Sequence, residues 1–92
     1  MIRTFRDKET AKLFNREYSK IPSDIPSVAL RKLGHVDAAQ SLEDLRMFSS
    51  HRLEALKGDR KGQHSIRIND QWRICFVWLD GDAHEVEICD YH

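Results

Sequence analysis

The sequence predicts an α+β fold, in which helices from the first half of the chain pack on one face of a small antiparallel β-sheet. Two observations predict it. Apolar residues recur at helical spacing as far as Met47, whereas from Ser65 onward they alternate with polar residues. Short turn signals separate the alternating segments, which favours hairpins over parallel strands.

The N-terminal residues predict a short strand and a first helix. Residues 1–5 place Ile2 and Phe5 in a strand-like segment, and Ala11, Phe14 and Tyr18 then follow at helical spacing. Pro22 is expected to end this element because proline lacks the backbone N–H that a helix interior needs.

Two further helix starts are visible. Ser23 or Asp24 can cap a helix that has Pro26 in its first turn, and Ser41 with Asp44 has the spacing of a capping box. The predicted apolar stripe of the second helix consists of Ile25, Ala29, Leu33 and Val36.

The second half predicts a three-stranded meander. Ile66 and Ile68 alternate with polar residues, and Asn69-Asp70 then offers a tight turn into a second strand. The segment 80–82 (Asp-Gly-Asp) is the next turn signal, after which alternation resumes in a third strand. The apolar face that the helices must cover contains Trp72, Ile74, Phe76, Val86 and Ile88, and Trp78 follows on the same face.

Length and composition place these elements in one soluble domain. The 92 residues fit a single domain over 1–92, and no apolar run approaches the length of a membrane span. The first six residues lack the apolar core of a signal peptide, so we expect a cytoplasmic protein. Cys75 and Cys89 are accordingly expected to be buried, reduced thiols.

Charge is distributed unevenly although the formal net charge is zero. Residues 46–73 contain seven Lys or Arg and three acids, a net +4, whereas residues 74–92 contain five acids and no Lys or Arg, a net −5. The basic segment is either an anion-binding groove or a partner for the acidic strand that follows it.

The chain ends in Asp90, Tyr91 and His92, an acid, a phenol and an imidazole that follow the last predicted strand. These groups can accept, donate or orient protons. Cations from the preceding strands and loop would stand near them: Lys57, Arg60, Lys61, Arg67 and Arg73. Such a combination suits cleavage of a phosphodiester.

A family resemblance rests on several motifs taken together. Leu56-Lys57-Gly58-Asp59-Arg60 is followed by His64-Ser65-Ile66, by the run from Asn69 to Phe76, and by the terminal Asp90-Tyr91-His92. With these motifs the whole chain resembles the HigB-type toxins of the RelE/ParE superfamily. The resemblance implies a RelE-like microbial RNase fold and a ribosome-dependent ribonuclease that cuts mRNA in the ribosomal A site.

The resemblance also implies site residues. It assigns Lys57, Arg73, Asp90, Tyr91 and His92 to the surroundings of the scissile phosphate. Some relatives have a histidine where this chain has Glu54, so a carboxylate here replaces an imidazole as a candidate proton carrier. Further RNA contacts are expected from Arg60, Lys61, Arg67 and Gln71.

Partners follow from the same resemblance. It implies a cognate antitoxin of the HigA-like helix-turn-helix type, the ribosome and mRNA, with DNA contacted only through the antitoxin. Neither a cofactor nor a metal is expected, because metal-free RNA cleavage uses the 2′-hydroxyl as nucleophile and needs only proton carriers and cations.

Several of these residues, and the function itself, allow a second interpretation. Arg73 can pair with Glu85 or Glu87 across the hairpin instead of binding phosphate, Lys57 and Arg60 can belong to a plain polar loop, and Tyr91 can pack in the core. A different function is also open, since the ParE branch of the superfamily blocks DNA gyrase by binding and uses no catalytic groups.

Overall fold

The computed structural model describes residues 1–15 and 26–90, which form three α-helices and a four-stranded antiparallel sheet. The helices are α1 (Lys8–Phe14), α2 (Pro26–Ala38) and α3 (Leu42–Arg46). The strands are β1 (Glu54–Ala55), β2 (Gln63–Arg67), β3 (Trp72–Leu79) and β4 (Asp82–Asp90), and single 3-10 turns at Ser49–His51 and Gly58–Arg60 flank β1. The predicted α+β class is confirmed. None of the helices described is long and apolar enough to cross a membrane.

Side-chain caps fix where two helices begin. Asp7 accepts the backbone N–H of Thr10 at 3.0 Å and starts α1. The predicted capping box is present at α3, because the side chains of Ser41 and Asp44 each accept the backbone N–H of the other. Other predicted helix residues lie outside the described part of the chain: Tyr18, Pro22, Ser23, Asp24 and Ile25.

The sheet contains one more strand than the predicted three-stranded meander. Its order is β1-β2-β3-β4, and the three strands β2, β3 and β4 form the expected meander. The additional strand, β1, has only two residues, both exposed, so it shows no apolar alternation in the sequence. It nevertheless matters for function, because Glu54 lies in it, opposite Ser65 of β2.

One face of the sheet packs against the helices. Ile66, Ile74 and Ile88 lie side by side on β2, β3 and β4, and the first two are fully buried. Trp72 and Trp78 are partly buried against this core, as predicted. The core cluster comprises Leu13, Ala29, Leu33, Val36, Ala39, Leu45, Ile66, Ile68, Ile74, Phe76, Ala83 and Val86.

The N-terminal segment joins the edge of β4 instead of forming a strand of its own. Two isolated parallel bridges connect Ile2 with Ala83 and Phe5 with Val86. Asp82 forms ion pairs with the Met1 amino group at 3.2 Å and with Arg3 at 3.0 Å. Hydrogen bonds from Arg3 and from the amino group lower the pKa of Asp82. Part of the acidity of β4 is thus neutralised from the N-terminus, a pairing that no sequence pattern indicates.

The cysteines correct the expectation of free thiols. Cys75 on β3 and Cys89 on β4 form a disulfide across neighbouring strands. Cys75 is opposite Glu87 and Cys89 is opposite Arg73, so the link is diagonal. The spacing of Cys75 and Cys89 in the sequence does not indicate that they pair, because the pairing depends on the register of β3 against β4. The predicted burial is correct for Cys75, which is inaccessible to solvent.

Candidate active site

A groove at the sheet edge contains two of the predicted catalytic residues. Glu54, Ala55, Leu56 and Lys57 line a cavity of about 460 Å³. Leu56 is buried and its N–H donates to the Gln63 carbonyl at 2.9 Å, so it anchors the segment to β2. Glu54 and Lys57, three residues apart, are both exposed. The groove therefore presents a carboxylate and an ammonium group on an anchored backbone.

Two glycines shape the loop that follows. Gly58 and Gly62 have φ values of +65° and +96°, a left-handed conformation that side chains with a Cβ rarely adopt. Between them, Lys61 is exposed, whereas Arg60 folds back onto the sheet. Arg60 donates to the Gln63 side chain at 3.2 Å and lies 3.5 Å from a carboxylate oxygen of Glu87.

That carboxylate has a second cationic neighbour. Arg6 lies 3.3 Å from the same Glu87 oxygen, which is buried and makes no hydrogen bond of good geometry. Glu87 is thus held by ion pairing from two guanidinium groups. The expected attraction between the basic segment and the acidic strand is present here through Arg60. The guanidinium group of Arg60 is therefore less available to bind RNA.

The second face of the sheet, here called the polar face, contains Ser65, Arg67, Arg73, Cys75, Glu87 and Cys89. Strand register places Arg67 opposite Arg73 and Glu54 opposite Ser65. The polar face is therefore continuous with the groove, because Glu54 and Ser65 are adjacent across the β1–β2 pair. Because Trp72 and Ile74 were predicted to face the helices, alternation along β3 turns Arg73 and Cys75 to this face.

Arg73 is more enclosed than its role as a phosphate ligand suggested. Only 9% of the residue is exposed. Its Nε donates to Ser65 Oγ at 2.8 Å, and an Nη2 hydrogen bond of 2.8 Å reaches the Arg52 carbonyl. Neither Ser65 nor Arg52 was singled out in the sequence. Side-chain parity alone gives no signal for this contact, because it depends on the register of β2 against β3.

A buried lysine adds positive charge next to Arg67 of β2. Lys32 of α2 is 4% exposed and donates to the Arg67 carbonyl at 2.7 Å. Burial lowers the pKa of Lys32, and the nearby charges of Arg31, Arg67 and Arg73 lower it further. Lys32 therefore lies buried among other cations, and its hydrogen bond to the Arg67 carbonyl satisfies a donor that has little access to water.

The hairpin end of the sheet holds the remaining predicted residues. Arg67 pairs with Asp70 in the β2–β3 turn. Gln71 donates to the Asp90 carboxylate at 3.1 Å, and Asp90 lies opposite Trp72. Asp90 therefore stands at the strand end, on the parity opposite to Arg73. Tyr91 and His92 lie outside the described residues.

The structure thus brings together some predicted residues and separates others. Glu54 and Lys57 share the groove, and Arg67 and Arg73 are cross-strand neighbours on the polar face. Asp90 and Gln71 contact each other at the hairpin end, and Asp90 belongs to β4, which is not adjacent to β1 in the sheet order.

Comparison with known sequences decides the family. The profile of the HigB-like toxins, described as RelE-like toxins of the type II toxin–antitoxin system HigB, matches residues 3–92. The chain belongs to the HigB-like toxin family. It is similar to Toxin HigB-1 of Vibrio cholerae serotype O1, with 41% identity over 85 residues and 90% of each chain covered. It is also similar to Endoribonuclease HigB of Proteus vulgaris, with 33% identity over 93 residues and all of both chains covered.

Solved structures support the fold of this HigB-like chain. The YoeB–YefM complex from Staphylococcus aureus matches with a TM-score of 0.62 and 18% identity, covering 100% of this chain and 98% of that one. The YoeB dimer from the same organism matches with a TM-score of 0.56 and 16% identity, covering 99% and 97%. At these identities the likeness concerns the fold alone, and it confirms the RelE-like architecture.

Proposed function

We propose that this HigB-like chain acts as one domain over residues 1–92, a ribosome-dependent endoribonuclease that cuts mRNA in the ribosomal A site and so arrests translation and growth. The observation that carries the proposal is the groove in which Glu54 and Lys57 stand together at the edge of the cation-rich polar face. The relative from Proteus vulgaris is named an endoribonuclease and is similar over its whole length.

The proposed reaction is attack of the 2′-hydroxyl on the adjacent phosphorus. Glu54 takes the hydroxyl proton, the new 2′-O–P bond forms, and the bond from phosphorus to the 5′-oxygen breaks after that oxygen gains a proton from His92. Lys57 and Arg73 hold the charge that develops on the nonbridging oxygens. The products are a 2′,3′-cyclic phosphate and a 5′-hydroxyl, and no metal takes part.

Supporting roles fall to the other predicted residues. Lys61 and Arg67 attract the RNA backbone by charge. Arg60 contributes less, because it also pairs with Glu87. Gln71 orients Asp90, the residue that precedes Tyr91 and His92. Tyr91 stacks on a base or orients the phosphate. The Glu54 carboxylate fits the role of base better than Asp90 does, because it shares the groove with Lys57.

The cellular setting is proposed from the family. The protein is cytoplasmic, a compartment in which the Cys75–Cys89 link is subject to reduction. An antitoxin of the HigA-like helix-turn-helix type silences the toxin and supplies the only contact with DNA. The structural neighbour from Staphylococcus aureus is itself a complex of YoeB with YefM, which supports a protein partner for the same fold.

Primer extension on a reporter mRNA in a reconstituted translation reaction tests the proposal. Wild type, Arg73→Ala and a chain lacking His92 are compared, each with and without ribosomes. New 5′ ends should appear with the wild type only when ribosomes are present, and both variants should cut at least tenfold more slowly. Growth arrest without any cut would contradict the ribonuclease and make a binding target such as DNA gyrase the better explanation.

A further inference from the structure

The environment of Arg73 shows that this residue is held in place from two sides. Ser65 is inaccessible to solvent, and its Oγ accepts from Arg73 Nε at 2.8 Å. Arg73 Nη2 donates to the Arg52 carbonyl at 2.8 Å and to the Ser65 carbonyl at 3.4 Å. A buried guanidinium group needs such acceptors, since each donor left without one would carry the full cost of desolvation.

The Arg52 carbonyl lies in an unusual piece of backbone. Arg52 has φ 45° and ψ 54°, the left-handed conformation that residues other than glycine adopt at a cost. It ends the 3-10 turn Ser49–His51, and Glu54 follows two residues later. The hydrogen bond from Arg73 spans 21 residues of sequence and fixes the carbonyl of this strained residue.

We propose that Ser65 is a positioning residue, which with the Arg52 carbonyl locks the Arg73 guanidinium, so that Arg73 in turn fixes the start of the segment that holds Glu54 and Lys57. This inference rests on the proposed ribonuclease. Its consequence is that Ser65 acts on catalysis through Arg73, although Ser65 is inaccessible to the RNA.

Strand register gives the proposal its geometry. Glu54 lies opposite Ser65 on β2, and Ser65 lies opposite Cys75 on β3, two residues from Arg73. The Ser65 hydroxyl therefore stands between the strand that contains the candidate base and the strand that contains the candidate phosphate ligand. Removal of the hydroxyl frees the Arg73 Nε–H to rotate away, and the Arg52 turn loses a fixed partner.

Two measurements on Ser65→Ala test the proposal, with Ser50→Ala as the matched control, because Ser50 is exposed in the neighbouring 3-10 turn. The first is the NMR signal of the Arg73 Nε–H, assigned by its loss in Arg73→Ala. The signal should be protected from solvent exchange in the wild type and in Ser50→Ala and should exchange at least tenfold faster in Ser65→Ala. The second is the rate of ribosome-dependent cleavage, in which Ser65→Ala should lower kcat about ten- to a hundredfold with KM unchanged.

A double variant separates positioning from general destabilisation. Adding Ser65→Ala to Arg73→Ala should lower kcat less than twofold further, because the residue on which Ser65 acts is already absent. Adding Ser65→Ala to Lys57→Ala should retain the full effect of the serine change.

Each contrary outcome has a distinct meaning. If the wild type cuts mRNA but Ser65→Ala keeps its kcat, or if the Arg73 Nε–H is equally protected in both, the positioning role is wrong and the ribonuclease stands. Equal kcat losses from Ser65→Ala with and without Arg73 would also overturn the positioning role. A wild type that cuts nothing on ribosomes would overturn the ribonuclease, and the positioning role with it, even where the Nε–H remains protected.

Discussion

Arginine side chains that look equivalent in the sequence differ in what they contact. Arg60 pairs with Glu87, Arg67 pairs with Asp70, and Arg73 is enclosed between Ser65 and the Arg52 carbonyl. Side-chain parity predicted the face of the sheet on which Arg73 lies. It did not predict these partners, because they depend on register and on a backbone turn 21 residues away.

The carboxylate of the groove gives a prediction at the residue scale. Glu54→Gln keeps the size of the side chain but removes its ability to accept a proton, so ribosome-dependent cleavage should fall about 10²- to 10⁴-fold. Single-turnover cleavage of a ribosome-bound mRNA measures this. The matched control is Glu43→Gln, since Glu43 is exposed on α3 and pairs only at the surface with Arg46. Retained activity in Glu54→Gln with loss in Asp90→Asn would assign the base to Asp90.

Lys57 gives a second prediction at this scale. Lys57→Ala removes the ammonium group from the groove, and the loss of a donor to the developing phosphorane charge should lower kcat about 10²- to 10³-fold. Lys8→Ala, an exposed change on α1, should leave kcat within twofold of the wild type. Equal cleavage by the two variants would show that Lys57 belongs to a plain polar loop.

At the scale of elements, the long strands were predictable and the short connections were not. β3 and β4 show clear alternation, and the Asn69-Asp70 and Asp80-Gly81-Asp82 turns fall where the sequence places them. β1 is too short to alternate, and the N-terminal bridges to β4 depend on backbone hydrogen bonds that no side-chain pattern reveals. The groove was missed for the same reason, because it forms along β1.

The link between β3 and β4 gives a prediction at this scale. Cys75 and Cys89 are 14 residues apart, and closing a loop of that size restricts the unfolded chain. Reduction should therefore lower the free energy of unfolding by about 3 kcal/mol. Urea unfolding with and without dithiothreitol measures the difference, and Cys89→Ser should unfold like the reduced wild type under both conditions. Identical midpoints for the oxidised and reduced wild type would contradict a stabilising disulfide.

At the scale of the whole molecule, opposite charges are paired across distant parts of the chain. The acids of β4 contact the N-terminal Arg3 and Arg6 as well as Arg60, so the net −5 of residues 74–92 is partly neutralised before any RNA arrives. The exposed Lys57 and Lys61 beside the groove supply positive charge that attracts phosphate, which matches a ribonuclease whose formal net charge is zero.

Buried histidines make the stability of the molecule depend on pH. His51 is inaccessible to solvent, its Nδ1 lies 3.1 Å from the Leu45 carbonyl, and its Nε2 lies 3.1 Å from His35 Nδ1. A carbonyl can only accept, so His51 Nδ1 donates, and in the neutral ring Nε2 accepts the proton of His35. A proton on His51 Nε2 would face the His35 N–H. Burial is the main cause that lowers the pKa of His51, of His35 and of His64.

The lowered pKa values of these histidines determine that stability falls as pH falls. As pH falls below the ordinary histidine value of 6.5, the unfolded chain binds protons that the folded chain does not, so the free energy of unfolding decreases. The stabilisation from keeping these histidines neutral is complete above the pKa of the unfolded chain and is lost as pH falls toward the lowered pKa values of the folded chain. The free energy of unfolding then falls by no more than about 1.4 kcal/mol per pH unit for each histidine. Urea unfolding between pH 8 and pH 5 should show this decline in the free energy of unfolding. His51→Gln should make the decline shallower. That variant starts from a lower stability, because the contacts with His35 and Leu45 change. A curve that is flat from pH 8 to pH 5, or a slope that His51→Gln leaves unchanged, would show that His51 takes up its proton without cost to the fold.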